Sequence, residues 1–112
     1  MKFGFDLDGT LDHEEVRTIA NTLFEAGHEI HILTGFVNNG GYTEQMKLDK
    51  CQRLGLKYTK LHLCEGENRE DIGYVKAQIL RQFNIPFMID DDPEFVRQMT
   101  YYSTSRIVMI VR

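Results

Sequence analysis

Five short apolar segments, at 2–7, 29–34, 60–64, 86–90 and 106–111, alternate along the chain with longer amphipathic stretches. Apolar runs of this length read as strands, and continuous apolarity implies burial on both faces. The intervening stretches carry the helical repeat. Val16, Ile19, Ala20, Leu23 and Phe24 recur at helical spacing before Gly27, where a left-handed C-terminal residue is wanted. Residues 43–54 repeat the design with Met46, Leu48, Cys51 and Leu54 ahead of Gly55, and 72–83 with Val75, Ile79 and Leu80. Asp92-Pro93-Glu94 joins an N-cap residue, a first-turn proline and a first-turn acid, so a last helix is predicted from there to about Tyr101. Strands alternating with single crossover helices predict a three-layer α/β, Rossmann-like fold with a five-stranded parallel sheet and helices on both faces.

Composition changes this picture little. A chain of 112 residues has the size of one domain, spanning 1–112, and no repeat or linker divides it. With 42% hydrophobic and 27% charged residues it is an ordinary globular chain. A formal charge of -4 argues against broad nucleic-acid binding, which depends on Lys and Arg displacing counterions. Cys51 and Cys64 lack any paired or zinc-type spacing, so free thiols in a reducing cytoplasm are expected. The apolar runs are strand-sized and Met1-Lys2 leads straight into one, which predicts neither a signal peptide nor a membrane span.

Polar residues concentrate at the predicted carboxyl ends of the strands, where ligands bind in such sheets. Strand one ends in Asp6-Leu7-Asp8-Gly9-Thr10, strand two in Thr34-Gly35, and strand four in Asp90-Asp91-Asp92. Carboxylates gathered in this way raise one another's pKa, and a divalent cation is the natural compensation. Hard oxygen ligands favour Mg²⁺.

Phe5-Asp6-Leu7-Asp8-Gly9-Thr10, Ile32-Leu33-Thr34-Gly35, a helical lysine and Met88-Ile89-Asp90-Asp91 together resemble the four motifs of the haloacid dehalogenase-like superfamily, in order and across nearly the whole chain. The resemblance implies a Mg²⁺-dependent phosphohydrolase. Asp6 would be the nucleophile that forms an aspartyl-phosphate, and Asp8 the general acid and base. Thr34 and Lys76 would bind the transferring group, with Gly9, Thr10 and Gly35 beside the substrate. Asp6, Asp90, Asp91 and the main-chain carbonyl of Asp8 would hold the metal. Lys47 and Lys60 are rivals for the lysine role but read as solvated charges, and Asp92 reads as a helix cap. By the same resemblance, the short stretches where a cap would be inserted imply no cap domain and an open site, suited to a polynucleotide end, a phosphoprotein, or a metabolite enclosed by a neighbouring subunit of a homo-oligomer.

Other residues carry less chemistry. His13, His28, His31 and His62 form no ligand pair at helical spacing, and Cys64 is expected to be buried. The segment 36–42 either closes over a ligand or merely connects a strand to a helix. No G-x-x-x-x-G-K-[ST] or G-x-G-x-x-G is present. Two competing readings remain: a receiver-like signalling domain, whose aspartate should follow strand three, and a non-catalytic scaffold of the same superfamily that binds Mg²⁺ and phosphate.

Overall fold

The computed structural model describes residues 1–36 and 44–111. Five parallel strands, β1 (Lys2–Phe5), β2 (Glu29–Phe36), β3 (Lys60–Glu65), β4 (Phe87–Asp90) and β5 (Arg106–Met109), form one sheet in the order β3-β2-β1-β4-β5. Four helices alternate with them: α1 (Glu14–Glu25), α2 (Glu44–Arg53), α3 (Arg69–Gln82) and α4 (Pro93–Tyr102). The fold is the predicted three-layer α/β arrangement.

Alternation along the strands sends successive side chains to opposite faces. Phe5, Ile30 and Ile32 face α1 and α2 and bury Leu11, Ala20 and Cys51. Leu33, Cys64 and Met88 face α3 and α4 and bury Ile72, Leu80 and Met99. The central strands β1, β2 and β4 are therefore apolar on both sides, which explains why they read as apolar runs. The edge strand β5, expected to be buried on both faces, instead leaves Arg106, Val108 and Met109 exposed, because among the described residues no strand or helix covers its outer side.

Strand order has a direct consequence for function. Strands β2 and β3 are added on one side of β1, whereas β4 and β5 are added on the other. The direction of winding reverses between β1 and β4, and the crevice above their carboxyl ends is the topological switch point of the sheet. A receiver domain has the order 2-1-3-4-5 instead, so the receiver-like reading is overturned by topology.

Element ends differ from the predicted ones for local reasons. Strand β1 stops at Phe5, because after Asp6 the chain enters a wide turn over Leu7–Leu11. Gly9 holds φ 83° inside that turn, a conformation that costs an L side chain about 1–2 kcal/mol. Helix α3 begins earlier than the apolar repeat suggests, because Asn68 caps it by accepting from the Asp71 amide at 2.9 Å. Asp92 caps α4 as expected, accepting from the amides of Glu94 and Phe95 at 2.9 and 3.2 Å. Of the segment 36–42, singled out as a lid or connector, Phe36 ends β2 and the rest lies outside the described residues.

Candidate functional site

Asp6 leaves the end of β1 while Asp90 and Asp91 leave the end of β4, and the two strands are direct neighbours in the sheet. One carboxylate oxygen from each of these three side chains lies within 4.8 Å of the others, and all three residues are buried. Among the described residues this is the cluster with the donors for a metal ion.

Lys76 reaches the cluster from α3. Its ammonium donates to Asp6 Oδ1 and to Asp90 Oδ2, each at 2.8 Å, and lies 4.2 Å from the centre of the Phe95 ring. Burial alone would lower its pKa, but the two carboxylates outweigh burial and raise it, so the lysine stays charged with none of its surface exposed. The Thr10 hydroxyl lies 3.2 Å from Asp6 Oδ2 and 3.1 Å from Asp91 Oδ1, bridging the two acids. Among the described residues, three carboxylates thus face one ammonium in a buried crevice. The imbalance falls on Asp6, whose pKa is pushed up to about 8 by burial and by Asp90, against the opposing pull of Lys76.

Asp8 behaves in the opposite way. Its side chain is half exposed and turns toward α2, where Lys47 donates to it at 2.5 Å and Lys50 at 2.7 Å. Burial opposes ionisation, yet these two lysines win and hold the carboxyl below its ordinary range. Lys47, read from the sequence as a solvated charge, is buried and ion-paired instead. Lys60 is exposed and lies over the Phe83 ring at 4.9 Å from its centre. Thr34 sits near the carboxyl end of β2, fully buried, and its hydroxyl has no hydrogen-bond partner among the described residues. A cleft of about 270 Å³ opens above this group, lined by Asp6, Asp8, Gly35, Ile72, Asp91, Asp92 and Phe95. At the amino-terminal ends of β4 and β5 lies a depression of about 400 Å³, flanked by Arg81 and Arg106 but lined, among the described residues, by no carboxylate or thiol.

The sequence reading missed one polar cluster. His31 and His62, on adjacent strands, are buried side by side with 2.9 Å between Nδ1 and Nε2, and Phe83 packs against both rings. Burial, His31 and Lys60 push the His62 pKa down to about 4. Leu33 pairs with His62 and His31 with Lys60, so the two imidazoles are diagonal neighbours. Only the register reveals that. Cys64 is buried as expected, and burial pushes its thiol up to about 12.

No family model matches the chain, and no curated protein matches it. Among solved structures, the chain is similar to a protein of the universal stress protein family from Burkholderia pseudomallei. The TM-score is 0.58 at 13% identity, over 99% of this chain and 96% of that one. This likeness shows the fold. It also overturns the expected membership of the haloacid dehalogenase-like superfamily, because the end-to-end likeness is to a protein of another family and no family model supports the motif reading.

The predicted phosphohydrolase activity is corrected with it. That activity was implied by the motif resemblance, and the end-to-end structural likeness is to a protein of another family. Each part of Asp-x-Asp-Gly-Thr has a structural cause of its own: Asp6 pairs with Lys76, Asp8 with Lys47 and Lys50, Gly9 turns the chain, and Thr10 bridges two acids.

Proposed function

We propose that this chain is a divalent-cation-dependent binding domain for a phosphorylated ligand, with Asp6, Asp90 and Asp91 as metal ligands. The observation that carries the reading is the convergence of these three buried carboxylates at the switch point of the sheet, opposite a single ammonium. Their donor set is all hard oxygen, which suits Mg²⁺. When bound, the ion supplies the positive charge that lets a phosphate approach so acidic a crevice.

The chain's own groups supply the rest. Lys76 neutralises the inner oxygens of Asp6 and Asp90, while Thr10 orients the outer oxygens of Asp6 and Asp91. Thr34 offers a hydroxyl with no partner of its own, which a ligand oxygen would satisfy. Gly35 and Asp8 line the cleft, and Gly9 shapes the turn beside it. We take residues 1–112 as one domain. No helix of the described residues is long and apolar enough to cross a membrane. Two buried free thiols suit a reducing compartment, and we place the protein in the cytoplasm.

Calorimetric titration of Mg²⁺ at pH 8 tests the reading. One saturable site is expected, weakened at least about tenfold in Asp91→Asn, which keeps the side-chain volume but removes a charged ligand. Inorganic phosphate should bind the Mg²⁺-loaded protein and not the metal-free one. A wild-type protein that takes up no Mg²⁺ would refute the proposal.

A further inference from the structure

A second cleft, of about 340 Å³, adjoins the first. Both are lined by Asp91 and Asp92, so the turn from β4 into α4 forms a shared ridge with the carboxylate trio on one side and the end of β5 on the other. The far side is apolar. Pro93, Met109, Ile110 and Val111 line it, and Met109 and Val111 are 44% and 81% exposed. Large apolar side chains gathered on one exposed concave surface, next to a polar centre, are the usual composition of a small-molecule site.

Arg69 closes the rim. Its guanidinium is held by Asp92 Oδ1 at 2.5 Å and lies 6.0 Å from the centre of the Phe95 ring. The cation in this cleft is therefore already engaged by a carboxylate of the shared ridge. Among the described residues lining the cleft, no other offers positive charge to a second anionic group or a fan of donors to a sugar.

We propose that the phosphorylated ligand is a monoester with an apolar aryl or alkyl body, whose phosphate faces the carboxylate trio while its body lies across the ridge on Pro93, Met109 and Val111. This rests on the Mg²⁺-dependent binding proposed above and adds the chemical class of the ligand. Continuity of the two clefts through Asp91 and Asp92 carries the argument. A body of this kind removes the exposed apolar surface of β5 from water, which a polar body of equal charge cannot do.

Phenyl phosphate and glycerol 3-phosphate, titrated by calorimetry into the Mg²⁺-loaded protein, test the assignment. Phenyl phosphate should bind about tenfold more tightly, the gain expected from burying one face of a ring. In the double variant Met109→Ser, Val111→Ser that preference should fall below about threefold, with the affinity for glycerol 3-phosphate unchanged. Circular dichroism establishes that the variant is folded, and Val111→Ser alone, at the more exposed position, replaces it if it is not. Equal affinity of the wild type for both esters would overturn the apolar subsite while leaving the metal and phosphate reading in place. A preference that survives the substitutions would overturn its location. Failure of both esters to bind, in a protein that binds Mg²⁺, would overturn the phosphate reading and this assignment together.

Discussion

Replacing Lys76 by methionine isolates the electrostatics of the crevice, because methionine is close to lysine in shape and leaves little cavity. The ammonium lies 2.8 Å from an oxygen of Asp6 and 2.8 Å from one of Asp90, with no exposed surface. At an effective dielectric of about 20, each contact is worth about 6 kcal/mol of gross attraction. Removing the ammonium also relieves several kcal/mol of its own desolvation. The net loss expected when one partner leaves a buried pair is about 3–5 kcal/mol, a large part of the roughly 5–15 kcal/mol that holds a domain together. Urea denaturation followed by circular dichroism at pH 9, where Asp6 is ionised, measures it. Two further results are expected if the cause is charge. The deficit should shrink as pH falls through about 8, where Asp6 takes up a proton and its half of the pairing is lost, and saturating Mg²⁺ should restore much of it by replacing the lost cation. A deficit below about 1 kcal/mol, unaffected by pH and by Mg²⁺, would refute this account of the crevice.

Three other outcomes are expected. His62 has its folded pKa depressed from 6.5 to about 4, so its contribution is complete above pH 6.5 and is lost as pH falls through the window down to about 4. At about 1.4 kcal/mol per pKa unit the loss approaches 3 kcal/mol, and His62→Leu should show a correspondingly flatter urea midpoint between pH 7 and 4.5 than the wild type. Asp92→Ala removes the acceptor of two α4 amides and should cost about 1 kcal/mol, read as a lower melting temperature. Gly9→Ala forces a side chain into φ 83° and should cost about 1–2 kcal/mol in the same assay, with an unchanged melting temperature counting against the left-handed turn.

Most of the fold was legible because the central strands are buried on both faces: strands with two apolar faces leave apolar runs, and the helices between them end at Gly27 and Gly55 as their periodicity demands. The convergence of Asp6, Asp90 and Asp91 was legible for a related reason, since residues that close neighbouring parallel strands must meet at one edge. Lys76 was found from its place on the helix entering β4, and it does reach Asp6 and Asp90. Lys47 was misjudged because its burial depends on Asp8, 39 residues away, turning toward α2. The imidazole pair was invisible without the register of β2 and β3. Family and activity were overread from short motifs. A turn needing glycine at one position and polar neighbours around a buried lysine calls for much the same letters, whatever chemistry follows.

The central claim is that Asp6, Asp90 and Asp91 hold one divalent cation between β1 and β4. Anomalous scattering from crystals soaked in Mn²⁺, a spectroscopic stand-in for Mg²⁺, tests it most directly. A single strong peak at coordination distance from all three carboxylates is expected, and it should vanish in Asp91→Asn. A fully occupied lattice with no peak in the crevice, or a peak bound only by Asp8 and Asp12 at the rim, would contradict the account.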